Sequence, residues 1–123
     1  TDLKGQIVKV NQLFCDISGY SEGELLGQNH RLLNSGYHPR EFWIEMWKTV
    51  SQGKTWRAEV CNRAKNGELY WVDTVINPIY DTEGKIYQYL SIQNVITERK
   101  KVENRLKLLQ SLIDDATDGM QVS

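Results

Sequence analysis

Apolar side chains recur with a helical period in the first half of the chain and with a strand period in the second. The clearest helical pattern runs over residues 40–52, where apolar positions follow the i, i+3, i+4, i+7 spacing. These positions are Trp43, Met46, Trp47 and Val50. The spacing predicts an amphipathic helix with one buried face, and Gly53 is placed to end it.

Capping residues predict two shorter helices before this one. Asn11 is a favourable N-cap, and Gly19 follows where a short helix would end. Ser21 and Glu24 have the spacing of a capping box, in which each side chain accepts a hydrogen bond from the other residue's backbone N–H. We expect Gly27 to close that second helix.

Beyond the long helix the apolar period falls to two, which is typical of strands with one buried face. Turn-forming residues separate the predicted strands, which span residues 55–63, 69–79 and 86–94. Residues 1–10 predict a further hairpin of two strands, and Thr97 caps an exit helix that runs to about residue 116. This order predicts an α+β fold with an antiparallel sheet and the helices packed on one face.

Composition excludes several classes of function. The chain has 123 residues, 40% of them hydrophobic, and a net charge of −1, so no basic surface is expected for nucleic acid or anionic lipid. No apolar run approaches the roughly 20 residues that span a bilayer. Cys15 and Cys61 form no CxxC pair, and His30 and His38 are too few for a zinc site. Without a catalytic motif or a phosphate loop, we predict a cytoplasmic module that is not an enzyme.

Strand alternation predicts two polar side chains on apolar faces. Asn62 continues the apolar face of the first long strand, and Gln93 shares a face with Tyr89 in the last one. A buried amide without a partner costs on the order of 1–3 kcal/mol, so it persists where something bonds to it. Two interpretations stay open: both amides bond local backbone at strand ends, or both face water or a planar polar ligand.

Two stretches, together covering roughly residues 1–100, carry the motifs of one known family. The opening half reads TDLKGQIVKVNQLFCDISGYSEGELLGQNHRLLNSG, with a Thr-Asp-x-x-Gly hairpin and a Gly-Tyr-Ser before the second helix. The closing half reads NRAKNGELYWVDTVINPIYDTEGKIYQYLSIQNVITERK, with an Arg-x-Lys-x-Gly turn. Together these stretches resemble the PAS family. The resemblance implies a PAS fold: a five-stranded antiparallel sheet in the order 2-1-5-4-3, short helices enclosing a pocket on one face, and a C-terminal signalling helix.

PAS domains bind haem, flavins, small acids or nothing, so the fold alone does not assign the ligand. In light-oxygen-voltage domains a Gly-x-Asn-Cys-Arg-Phe-Leu segment lines the flavin. This chain is similar there, with Asn29 matching and His30 in place of the photoreactive cysteine. Asn62 and Gln93 fall on two amide positions that bind flavin in that family, whereas Val72 stands where a second asparagine is usual. The resemblance therefore implies no light-driven cysteinyl adduct at this position.

Flavin PAS domains of bacterial redox and aerotaxis sensors are similar to the chain along the long helix and the strand after it. Their helix tryptophan corresponds to Trp47, their strand asparagine to Asn62, and aerotaxis-type members carry a histidine at the position of His30. The resemblance implies a flavin, FAD rather than FMN. The candidate cofactor-binding residues are His30, Trp47, Asn62, Gln93, Asn29, Tyr89 and Val72. Haem is disfavoured because His30 is the only plausible axial ligand.

Flavin reduction turns N5 of the ring from a hydrogen-bond acceptor into a donor, and an amide can answer by rotating. Gln93, near the end of the last strand, is the candidate for that response. The resemblance thus implies a sensor of redox state or oxygen. The alternative is a cofactor-free PAS domain that serves as a dimerisation and relay element.

The exit helix carries a short seam with the 4-3-4-3 spacing of a coiled coil. Its members are Val102, Leu106, Leu109, Ile113 and Ala116. Either this seam and the sheet surface form a homodimer, or the helix packs on its own domain. We divide the chain into a PAS domain (1–96), a signalling helix (97–116) and the start of a following domain (117–123). We expect an output domain beyond it, such as a histidine kinase or a diguanylate cyclase. Val95 replaces the Asp that usually couples the sheet to this helix.

Overall fold

A computed structural model describes the backbone of residues 1–121 and the side chains of residues 1–114. Two short helices, α1 (Gln12–Ser18) and α2 (Glu22–Leu25), precede a 3₁₀ helix (His30–Leu33). The long helix α3 (Arg40–Ser51) follows. Three strands come next, β1 (Trp56–Arg63), β2 (Leu69–Tyr80) and β3 (Ile86–Val95), and α4 (Thr97–Gln121) ends the order.

Two predicted N-caps are present where the sequence places them, whereas Thr97 is the first residue of α4 rather than its cap, and its hydroxyl accepts a bond from the Trp71 backbone. The side chain of Asn11 accepts a hydrogen bond from the Phe14 N–H at the start of α1. Ser21 and Glu24 form the reciprocal capping box of α2, which lets a four-residue helix satisfy its first N–H groups. Helix α2 ends before Gly27, at Leu26, whose N–H bonds the carbonyl of Glu22.

The described sheet has three antiparallel strands in the order β1-β2-β3. Val60 lies opposite Val72 between β1 and β2, and Thr74 lies opposite Gln93 between β2 and β3. Gly67 closes the first hairpin turn with φ of 89°, a left-handed conformation that costs glycine little. All three strands lie within two residues of their predicted bounds.

The predicted count of five strands is wrong, because residues 1–10 do not form a hairpin within the sheet. Thr1 exchanges backbone hydrogen bonds with Tyr89 at 2.8 and 2.9 Å. The carboxylate of Asp2 then accepts bonds from the N–H groups of Lys4 and Gln6, which folds the segment into a tight turn. Ile7 next pairs with residues 27 and 28. This N-terminal strap (residues 1–10) divides its backbone bonds between β3 and residues 27–30, so no continuous ladder forms.

The core lies between α3 and one face of the sheet. Val50 and Val72 are 1% and 0% exposed, and each such burial stabilises the fold by about 1.5–3 kcal/mol. The buried members of this core are Met46, Val50, Trp56, Val60, Tyr70, Val72 and Tyr89. A second small cluster of Ile7, Cys15 and Leu25 joins the strap to α1 and α2. Both cysteines are free and buried.

The exit helix leaves the domain rather than lying on it. Val102, Leu106, Leu109 and Ile113 are 48–60% exposed, so the described part of the seam does not pack on its own domain. Ala116, the last predicted seam residue, lies outside the residues whose side chains are described. The backbone of α4 continues to Gln121, past the predicted end at about residue 116, and the start of a following domain stays a prediction. No helix of the described residues is long and apolar enough to cross a bilayer.

Candidate functional site

A cavity of about 660 Å³ lies between α3, the 3₁₀ helix, the N-terminal strap and the inner face of the sheet. Volumes of this order are typical of pockets for small molecules and cofactors. Six of the predicted site residues line it together: Asn29, His30, Trp47, Asn62, Tyr89 and Gln93. Residues more than 60 positions apart in the sequence therefore meet in one concave site.

Val72 is placed differently from the other predicted site residues. It is completely buried in the core and does not line the cavity. Thr74, two residues further along the same face of β2, is 3% exposed and lines the cavity. Thr74 also lies opposite Gln93, so β2 contributes a hydroxyl group to the cavity wall beside that amide. Residues two apart in a strand share a face, so the strand period counted from Val72 would have predicted Thr74 as a lining residue.

One wall of the cavity is aromatic. The imidazole of His30 lies 5.5 Å from the ring of Trp47, and Trp47 meets Tyr89 edge-on at 5.7 Å between ring centres. Gly5 permits this arrangement, since a Cβ atom there would lie 2.9 Å from Cδ2 of His30. Burial lowers the pKa of His30 below its usual 6.5, with Arg31 as a smaller cause. The wall therefore presents a neutral imidazole at pH 7.

Asn62 is buried within this apolar setting, with 5% of its surface exposed. Tyr70 is its cross-strand neighbour, and burial raises the pKa of the Tyr70 hydroxyl to about 12, an effect that the Asn62 side chain partly offsets. Among the described hydrogen bonds, none joins the amide of Asn62 or Gln93 to backbone at a strand end. The half-buried amide of Gln93 keeps its hydrogen-bonding groups available to the cavity.

Trp43 also borders the cavity, and its indole nitrogen Nε1 is buried without a hydrogen-bond partner among the described residues. An unpaired buried donor costs on the order of 1–3 kcal/mol. The sequence pattern indicated Trp43 as a core residue, and it is also a wall residue. An orphaned donor beside inward amides and aromatic rings fits a planar polar group better than a purely apolar one.

The rim of the cavity is cationic. Lys4, Lys9 and Arg31 line it, and none of the described lining residues is Asp or Glu. No described ion pair joins these three cations to a carboxylate. Asn29 organises the rim: its amide oxygen accepts bonds from the backbone and Nε of Arg31, and its nitrogen donates to the carbonyl of Lys4. The rim therefore suits an anionic group on a molecule that enters the cavity.

The PAS fold family matches residues 7–93 of the chain. The chain belongs to the PAS family. As a PAS domain it is a sensory and regulatory module and not a catalytic one. Its fold agrees with that of a solved RNA-binding light-oxygen-voltage receptor, with a TM-score of 0.75 at 24% identity over 89% of this chain and 30% of the other.

Two regulatory relatives extend the match. The PAS domain is 40% identical over 114 residues to the nitrogen fixation regulatory protein of Klebsiella pneumoniae, which is 93% of this chain and 23% of that protein. It is 38% identical over 100 residues to the aerotaxis receptor of Escherichia coli (strain K12), which is 81% of this chain and 20% of that one. The chain thus spans less than a quarter of either relative.

Proposed function

We propose that this PAS domain binds a flavin, FAD rather than FMN, and senses redox state or oxygen in the cytoplasm for a longer signalling protein. The observation that carries the proposal is one cavity in which two inward amides, Asn62 and Gln93, face an aromatic wall. An aerotaxis receptor among the relatives supports the proposed sensory role.

Each wall of the cavity suits a different part of a flavin. The aromatic wall of His30, Trp47 and Tyr89 offers flat apolar surface to a ring. Asn62 is 5% exposed and lines the cavity, so its amide can bond the polar edge of that ring. The cationic rim of Lys4, Lys9 and Arg31 is placed for phosphate, which favours a phosphorylated flavin over riboflavin.

A bound flavin would supply one redox-dependent group, N5, which accepts a hydrogen bond when oxidised and donates one when reduced. Gln93 can meet either state, because its amide carries both an acceptor oxygen and a donor NH₂. Rotation of that amide would change the group presented to Thr74, its partner across β2 and β3. His30 provides no thiol, so the proposed stimulus is redox state or oxygen rather than a cysteinyl photocycle.

The domain is proposed to act as a homodimer upstream of an output domain. Leu90 and Ile92 on the outer face of β3 are 49% and 50% exposed, and the described seam of α4 is similarly exposed. These apolar surfaces also favour the second candidate function, a cofactor-free PAS domain that only dimerises and relays. The two functions differ in whether the cavity is filled.

Purified protein distinguishes these candidates directly. The flavin sensor is expected to be yellow and to release FAD on denaturation, identified by chromatography against FAD, FMN and riboflavin. Dithionite should bleach the visible absorbance, and air should restore it. Protein that is colourless and takes up none of the three flavins would leave the relay function as the better account. Release of FMN would show that the cofactor is FMN rather than FAD, and the proposed sensory function would stand.

A further inference from the structure

The start of α4 is fastened to β2 at Trp71. The backbone N–H of Trp71 donates to Oγ1 of Thr97 at 3.0 Å, and its carbonyl accepts from the N–H of Ile96 at 2.9 Å. The ammonium of Lys100 lies 4.7 Å from the centre of the indole ring. An ammonium over a tryptophan face is attracted by the ring's quadrupole, and only 14% of the Lys100 side chain is exposed.

Lys100 is also held from β1. Its ammonium lies 3.4 Å from Oε1 of Glu59, and Arg99 pairs with the same carboxylate. Glu103, one turn further along α4, approaches Lys100 at 3.4 Å as well. The first turn of α4 is therefore tied to two strands at once, and Lys100 is the group shared by both attachments.

The indole ring also meets the segment that joins the 3₁₀ helix to α3. Trp71 contacts Tyr37 and His38 edge-on, at 4.9 and 5.9 Å between ring centres. His38 in turn stacks on Phe42 at 4.0 Å and meets Trp43 edge-on at 5.6 Å. Since Trp43 lines the cavity, three ring contacts lead from the cavity wall to Lys100.

His38 is also bonded to the strand that carries the buried amide. Its Nε2 accepts a hydrogen bond from the backbone N–H of Cys61 at 2.9 Å, one residue before Asn62. Asn34, in the same connecting segment, forms an isolated bridge with Asn62. A displacement of α3 or of β1 at the cavity therefore reaches the imidazole by two routes.

We propose that Trp71 is a positioning residue that transmits changes at the cavity wall to α4, through the contacts Trp43–His38–Trp71–Lys100. This connection replaces the one that a carboxylate at the position of Val95 would make. The relay rests on the proposed function only for the stimulus that starts it, because the contacts of the relay involve no ligand. In this relay the contact between the Lys100 ammonium and the Trp71 ring is the step that reaches α4.

Hydrogen exchange of the backbone amides of residues 97–103 tests this relay in the purified chain. Two perturbations are applied at the cavity: Trp43→Phe, which needs no cofactor, and flavin reduction by dithionite. Each is expected to change protection in this turn by about threefold or more. When Lys100→Met is also present, the change in protection caused by either perturbation should be less than half of the change seen with Lys100 intact. Lys101→Met is the matched control, because its ammonium is exposed and pairs with Glu98.

Equal responses in the Lys100→Met and Lys101→Met backgrounds would overturn the relay, and so would an unperturbed α4 in the Trp43→Phe protein. A purely structural role for Lys100 would lower protection before the perturbation and leave the change intact. If Trp43→Phe does not fold, His38→Phe takes its place, keeping a stacked ring and removing the acceptor for Cys61. A colourless protein refutes the flavin, while the Trp43→Phe arm still decides the relay.

Discussion

Nε2 of His38 accepts a hydrogen bond from the backbone N–H of Cys61 at 2.9 Å, so this imidazole must be unprotonated at that nitrogen. Desolvation lowers the pKa of His38 below its usual 6.5, in agreement with that bond. The folded protein thus binds fewer protons at His38 than the unfolded chain does when the pH is slightly acidic.

A loss of stability in mild acid follows from this relationship. The contribution of His38 is fully present above the unfolded pKa of about 6.5 and is lost as the pH falls below it. Urea unfolding at pH 7.5 and pH 5.5 measures the loss. His38→Phe should shrink the difference between the two pH values. His30, whose pKa is also lowered, should leave a residual difference. An unchanged difference in His38→Phe would contradict the prediction.

Gly5→Ala should both destabilise the fold and reduce flavin binding. At φ of 82° a Cβ costs about 1–2 kcal/mol, and here it would also press on His30 at 2.9 Å. Gly84→Ala is the matched control, because Gly84 has φ of 81° and nothing within 4 Å of the added Cβ. We expect both variants to lose stability in urea unfolding, Gly5→Ala by more. Only Gly5→Ala should lower the flavin content.

Asn62→Leu should weaken flavin binding by about three- to tenfold, the effect of one neutral hydrogen bond. The substitution retains side-chain size and removes the buried amide. Asn94→Leu, on the exposed face of β3, should leave the dissociation constant unchanged. Fluorescence titration with FAD measures both. Equal affinities of the two variants would remove Asn62 from the site.

Replacing the rim lysines should discriminate between flavins. The double variant Lys4→Met and Lys9→Met should bind FAD roughly three- to tenfold more weakly and show a smaller salt dependence. Riboflavin, which has no phosphate, should bind as before. Lys48→Met with Lys54→Met removes the same charge away from the cavity and should have no effect on FAD. An equal loss of affinity for FAD and riboflavin would show that the rim lysines do not bind a phosphate.

Leu109→Lys should shift the protein from dimer to monomer, because Leu109 lies in the proposed seam and is 48% exposed. Leu108→Lys adds the same charge to an exposed leucine outside the seam and should leave the dimer intact. Sedimentation equilibrium measures the dissociation constants of both. If the two variants behave alike, the seam is not the interface.

Local signals in the sequence were sufficient to predict the helices and the three long strands. Caps such as Asn11 and the Ser21–Glu24 box act within one turn, so they are legible without tertiary contacts. The hairpin predicted for residues 1–10 failed for the complementary reason. Its backbone partners, Tyr89 and Gln28, are distant in the chain, and no local pattern specifies them.

The sequence by itself determined the PAS fold, the order of the helices and the three long strands, and six residues that line one cavity, because strand alternation and family resemblance both act position by position. Only the tertiary structure decided that Thr74, not Val72, faces that cavity, and that the Lys100 ammonium lies over the Trp71 ring. It also brought His38 against Cys61. These relationships depend on how helices and strands pack against one another, and packing distances have no counterpart in sequence spacing.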